Sequence, residues 1–117
     1  MPARVLVVDD DPVFRAVARR LLAAQGLETV GEAGTASDAY AEALRLEPDG
    51  ILVDIGLPDE DGIALAHRLA ALAWRPRVLL TSIDADRSSE LRLGAITGFL
   101  PKQELPDASL RRFLVAE

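Results

Sequence analysis

The residues best able to do chemistry are few and far apart. An acidic triplet, Asp9-Asp10-Asp11, ends one apolar run and Asp54 ends a second. Thr81-Ser82 close a third, and Lys102 follows a fourth. Three carboxylates brought close together repel one another and are costly without a cation. A hard divalent ion relieves that cost: Mg²⁺ takes oxygen ligands while keeping several waters, and Mn²⁺ suits the same donors. Asp10 and Asp54 are the expected direct ligands, with the backbone carbonyl of Gly56 as a third. Asp9 is expected to act by charge and through water. A carboxylate beside such an ion can serve as a nucleophile and form an aspartyl phosphate, while charge on the incoming group is neutralised. The Thr81 hydroxyl and the Lys102 ammonium can hold phosphoryl oxygens that the metal does not reach.

For these side chains to meet, the elements that carry them must end side by side. Val5-Leu6-Val7-Val8, Ile51-Leu52-Val53, Val78-Leu79-Leu80 and Gly98-Phe99-Leu100 are short continuous apolar runs, as expected of strands buried on both faces of a parallel sheet. Leu27 to Ala33 is more mixed, contains Gly31, and is placed at a sheet edge. Helical signals separate the runs. Asp11-Pro12 reads as an N-cap and first helical position. Phe14, Val17, Ala18 and Leu21 then form an apolar stripe, with Arg15, Arg19 and Arg20 largely opposite and Gly26 as the stop. A second helix is expected over Ala36–Leu46, capped by Thr35 or Ser37. A third runs from about Asp61 to Leu72, with Ile63, Ala66, Leu69 and Ala70 inward. A short fourth spans Asp86–Leu93, closed by Gly94. A last one, Pro106–Val115, buries Leu110, Phe113 and Leu114.

Strand–helix repeated five times, with right-handed crossovers, implies an α/β fold: a flavodoxin-like (βα)5 doubly wound parallel sheet of strand order 2-1-3-4-5. In such sheets ligands bind beyond the carboxyl ends of the strands, where the order reverses. Strands 1 and 3 are neighbours at that point, so acids from two distant segments enter one pocket. Taken singly, Asp11 is a helix cap, Asp54 a solvated loop residue, Thr81 a strand terminator and Lys102 a surface charge. A site explains all of them at once; the single readings require four strand ends to converge by accident.

The chain is 117 residues long, enough for one domain over 1–117 and too short for two. Half of it is hydrophobic and only 4% aromatic, so aliphatic side chains must fill the core. It has no cysteine, which excludes disulfides and thiolate metal sites. A net charge of −6 argues against direct binding to nucleic acid or to an anionic membrane. No apolar run approaches membrane-spanning length. A cytoplasmic location is expected.

Several blocks resemble a known family. Val5-Leu6-Val7-Val8-Asp9-Asp10, Ile51-Leu52-Val53-Asp54-Ile55-Gly56-Leu57-Pro58 with Asp61-Gly62, Leu79-Leu80-Thr81-Ser82 and Gly98-Phe99-Leu100-Pro101-Lys102 are similar to receiver domains of bacterial two-component response regulators. The order and spacing match across the whole chain. The resemblance implies that Asp54 is the phosphoacceptor, that Asp9 and Asp10 hold Mg²⁺, and that Lys102 contacts the phosphoryl group. It makes Thr81 the switch hydroxyl and Phe99 the aromatic switch position, here without a phenolic hydroxyl. Gln103 follows the lysine where many members have proline, and Gly56 places no side chain over the acceptor.

The resemblance also implies partners: a sensor histidine kinase or histidine phosphotransfer protein docking near helix 1, and a downstream protein or a second copy on the face of helix 4, strand 5 and helix 5. That face carries Arg87, Glu90, Arg92, Arg111 and Arg112. A basic helix 1 face from Arg15, Arg19 and Arg20 is expected to help the donor dock. His67 is expected to be a surface or packing residue and Trp74 a packing plug. With no DNA-binding segment after the last helix, a stand-alone receiver is expected, acting as a signalling domain and not as an enzyme. The rival reading is a haloacid-dehalogenase-type phosphatase with Asp9 as nucleophile, since Asp9-Asp10-Asp11-Pro12-Val13 fits that family's strand-end motif. It lacks that family's further acidic pair and has no room for a cap domain. A flavodoxin-like cofactor binder would need a Ser/Thr/Gly-rich loop where the three aspartates stand.

Overall fold

The computed structural model describes residues 2–84 and 93–115. Five parallel strands, β1 (Arg4–Val8), β2 (Glu28–Ala33), β3 (Gly50–Asp54), β4 (Arg77–Ser82) and β5 (Gly98–Pro101), form one sheet in the order β2-β1-β3-β4-β5. This is the expected flavodoxin-like arrangement. Strands β1, β3 and β4 lie inside the sheet, so both of their faces need apolar cover, and their runs of Val, Leu and Ile supply it. On one face Leu6, Val8, Ile51, Val53, Val78 and Leu80 pack with α2 (Ala36–Leu46) and α3 (Gly62–Ala70). On the other, Val5, Val7, Leu52 and Leu79 pack with α1 (Pro12–Ala24) and α4 (Leu110–Leu114). The edge strand β2 carries a register shift against β1 between Val5 and Leu6.

Local chemistry sets most helix ends. Asp11 accepts from the Val13 amide with Pro12 in the first turn, Thr35 accepts from Asp38, and Asp61 accepts from Ile63. Gly26, at φ 77°, takes the chain out of α1 in the left-handed region. The buried line of α1 differs from the expected stripe. Ala18 and Leu22 are sealed, Phe14 and Leu21 are half-buried, and Val17 is 42% exposed. Leu21 and Leu22 are adjacent and equally apolar, so the periodicity fits either rotation and the packing against β1 selects one. In α3, Leu65 joins Ala66, Leu69 and Ala70 in the core, while Ile63 is only half-buried.

The last helix also differs from its expected span. A 3₁₀ helix covers Lys102–Asp107, with Pro106 inside it, and α4 begins only at Leu110. Ser109 makes no side-chain cap. Instead Gln25, at the end of α1, accepts from the Leu110 amide at 2.8 Å and donates to Ala108 O at 3.0 Å. The expected helix over Asp86–Leu93 lies, apart from Leu93, outside the described residues, as do Arg87, Glu90 and Arg92. Trp74 is the packing plug expected of it, half-buried against the core with its indole N–H on Pro48 O at 2.9 Å. His67 is exposed on α3.

Candidate functional site

Parallel register brings the strand ends level. Val8 pairs with Val53 and Asp54 pairs with Thr81, so Asp9, Asp54 and Thr81 emerge at the same height. Carboxylate oxygens of Asp9, Asp10 and Asp54 all lie within 4.8 Å of one another. Lys102 reaches them because β5 ends at Pro101 and the 3₁₀ helix begins at the lysine itself. Its Nζ is 2.7 Å from Asp9 Oδ2 and 3.8 Å from Asp54 Oδ2. Phe14 packs against the same ammonium, 4.1 Å from its ring centre.

Asp9 is fully buried, and its other oxygen accepts from the Asp11 amide at 2.8 Å. Asp10 is exposed, and Asp54 is 7% exposed at the pocket mouth. Burial pushes the Asp54 carboxyl above the ordinary carboxylate range, and the Asp9 carboxylate pushes it further. Lys102 and the Gly56 amide oppose the rise, and Asp10 adds to it. Three carboxylates and one ammonium leave two negative charges in the pocket when all are ionised, which matches a divalent cation. The oxygen-only donor set suits Mg²⁺.

Thr81 is sealed, and its hydroxyl oxygen has no hydrogen-bond partner. Ser82 is buried beside it and accepts from the Asp84 amide at 3.0 Å. Gly56 is exposed, and a Cβ there would stand 3.8 Å from Asp54 Oδ2, so glycine leaves the approach to that oxygen open. Gly62 has a different role: a Cβ would collide with the Asp54 carbonyl oxygen, so only glycine lets α3 start against the end of β3. Phe99 is half-buried and packs against the core on the α2–α3 side.

Sequence reasoning missed the roles of five residues around the pocket. Arg15 was expected on an exposed basic face. Instead it is 21% exposed, donates to Asp9 O at 2.6 Å and pairs with Glu32 at 3.0 Å. Arg19 pairs with the other Glu32 oxygen at 2.7 Å, so this part of the face is neutralised by β2. The two guanidinium groups hold Glu32 below the usual carboxylate range, Arg19 contributing most. Asp59 accepts from the Ala36 amide at 2.8 Å and the Ser37 amide at 3.1 Å, which lowers its pKa. Phe14, read only as core, flanks the lysine. Apart from the Arg15–Asp9 bond, which spans six residues, these contacts join segments far apart in sequence, and no local pattern announces them.

Comparisons with known proteins identify the family and the fold. The family model of the response regulator receiver domain matches residues 5–112. The chain belongs to the response regulator receiver family. It is 42% identical over 96 residues to protein-glutamate methylesterase/protein-glutamine glutaminase 5 of Myxococcus xanthus, covering 81% of this chain and 27% of that protein. The chain thus spans about a quarter of that relative's length, and 31% of a similarly named relative from Archaeoglobus fulgidus. Among solved structures, a two-component response regulator of the LuxR family from Aurantimonas superposes with a TM-score of 0.81 at 28% identity, covering 92% of this chain and 79% of the other. The response regulator domain of Thermotoga maritima CheB gives 0.74 at 30% identity, covering 96% and 86%.

This receiver is therefore a phosphoacceptor domain of two-component signalling, a regulatory unit even where its relatives carry an enzyme. The family match lends the phosphatase reading no support, and the fully buried Asp9, tied to Lys102 and the Asp11 amide, is poorly placed to be a nucleophile. Among the described residues, no helix is long and apolar enough to cross a membrane.

Proposed function

We propose that Asp54 accepts the phosphoryl group and that the chain works as a single cytoplasmic receiver over residues 1–117, loaded by a histidine kinase or a histidine phosphotransfer protein. The observation that carries this reading is the convergence of Asp9, Asp10 and Asp54 within 4.8 Å, with Lys102 against them. Asp10 and Asp54, with the Gly56 carbonyl, would hold Mg²⁺ directly, and Asp9 would act by charge and through water. The ion would neutralise charge on the transferring phosphoryl oxygens.

One Asp54 carboxylate oxygen attacks phosphorus and forms the new O–P bond. The bond from phosphorus to the donor atom breaks, and its electron pair leaves with the donor, an imidazole nitrogen or a carboxylate oxygen. Lys102 balances charge on the phosphoryl oxygens, and the unpartnered Thr81 hydroxyl donates to one of them. That new bond would draw Thr81 toward the acceptor and bias the packing of Phe99, changing the face that includes β5 and α4. A downstream protein or a second copy would read that face; Arg111 and Arg112 are exposed on it. The domain assists only its own phosphorylation and dephosphorylation. Donor docking near α1 is supported by the exposed apolar Val13 and Val17, and by Ile83 after β4. With Arg15 and Arg19 paired to Glu32, Arg20 remains for a basic contribution.

Incubating the protein with acetyl phosphate and Mg²⁺, then measuring intact mass and mapping the modified residue, tests the assignment. One phosphoryl adduct on Asp54, lost with chelator and lost in Asp54→Asn, is expected. An adduct on Asp9, or none on wild type, would overturn it.

A further inference from the structure

The two loops that carry the acids are each tied to the same corner of the fold. Asp9 and Asp10 sit on the β1–α1 loop. There the Asp9 amide donates to Ala33 O at 3.0 Å, and Arg15 donates to Asp9 O at 2.6 Å while pairing with Glu32. Arg19 holds the second Glu32 oxygen, so that carboxylate is fixed from both sides. Gly56 and Asp59 sit on the loop after Asp54. There both Asp59 oxygens accept amides from the first turn of α2, Ala36 and Ser37. Glu32, Ala33, Ala36 and Ser37 all belong to the β2–α2 corner, which contributes no side chain to the acid pocket itself.

We infer that the β2–α2 corner, residues 32–37, is a brace that sets the spacing of the acid pocket, with Arg15 and Asp59 as positioning residues acting through Asp9 and the Gly56 loop. The inference rests on the metal-site reading above and goes beyond it. Mg²⁺ demands near-ideal octahedral geometry and tolerates little drift in its ligands. Groups that orient ligands without touching the metal commonly alter metal affinity 10- to 100-fold. Arg15 is suited to this task because its planar fork can serve a carbonyl and a carboxylate at once; a lysine ammonium has no such fork. Electrostatics alone predicts the opposite sign for this residue. Removing a positive charge next to an acidic pocket strengthens cation binding, so a weaker Mg²⁺ affinity in Arg15→Ala reports geometry.

The test is a Mg²⁺ titration of the full chain without phosphodonor, followed by amide chemical shifts of Asp10, Asp54 and Gly56, with thermal melts in parallel. Wild type is compared with Arg15→Ala, Arg15→Lys, Asp59→Ala and, as control, Arg45→Ala, which breaks the exposed Arg45–Glu42 pair on α2. The brace predicts that Arg15→Ala and Asp59→Ala each weaken Mg²⁺ about tenfold. Arg15→Lys should recover part of the loss, and the control should match wild type. Affinities of Arg15→Ala and Arg15→Lys at or above wild type would overturn the brace while leaving the metal site standing. Absence of saturable Mg²⁺ binding in wild type would overturn both. If Arg15→Ala melts too low to titrate, Arg15→Lys, which keeps the charge and loses the fork, carries the comparison.

Discussion

The two ends of the sheet are built on opposite terms. At the amino ends of the strands, most polar groups satisfy one another, with the buried Thr29 hydroxyl the exception. Arg4 donates to Glu47 O beyond α2, Arg77 donates to Phe113 O and Arg112 O at the end of α4, and Arg111 donates to Gln25 O. Cationic donors on the last carbonyls of helices also oppose the negative end of the helix dipole. Trp74 adds its indole bond to Pro48 O. At the carboxyl ends, three carboxylates crowd one ammonium, the Thr81 hydroxyl lacks a partner, and Asp54 has a raised pKa. Local conflicts of this kind persist where function needs them and weaken the fold elsewhere. One end holds the fold together; the other crowds like charge and leaves the Thr81 hydroxyl without a partner.

The sharpest way to break this comparison is Lys102→Ala. It removes the cation from the acid pocket and leaves Asp9 buried without its ion-pair partner, at a cost of roughly 3 kcal/mol. Urea unfolding without metal should show that loss, and Mg²⁺ should restore part of it. Were Lys102→Ala as stable as wild type, the pocket would not hold its charges under tension. Arg77→Ala, at the satisfied end, should cost about 1 kcal/mol for its carbonyl bonds. Its stability should be indifferent to Mg²⁺, and a Mg²⁺-dependent deficit would blur the two ends. Thr81→Val should have the opposite sign, a gain of up to about 1 kcal/mol, because it removes an orphaned buried hydroxyl while keeping the shape. A lower urea midpoint for Thr81→Val would mean that the hydroxyl is satisfied after all.

How much of this was legible in sequence depends on the range of the contacts. Helix α2 was readable to its bounds because Thr35 caps it locally and Pro48 follows its end. The acid pocket was readable because strand order alone determines which strand ends are neighbours. The last helix was misplaced because its true start is supplied by Gln25, some 85 residues upstream. The buried line of α1 was misplaced because two adjacent leucines satisfy the same period. Arg15 was read as an exposed basic residue because its partners, Asp9 O and Glu32, lie on the β1–α1 loop and on β2; one loop and one edge strand must fold before that pairing exists. Residues proposed to act directly were visible by type and strand-end position. Those proposed to position them were not.

The central claim is that the carboxyl end carries charge it cannot satisfy alone, and thermal melts of wild type against Asp54→Asn test it most directly. A folded pKa raised above the unfolded value means that the fold binds the proton more tightly than the unfolded chain does. Asp54 therefore stabilises the fold in its protonated form, below its unfolded pKa near 4, and that contribution is lost as pH rises through the higher folded value. At pH 7 without metal, Asp54→Asn should melt a few degrees above wild type. That advantage should vanish below about pH 4, and it should shrink or reverse in Mg²⁺, for which the proposed site predicts tighter binding to wild type. Asp54→Asn melting at or below wild type at pH 7 without metal would contradict the account.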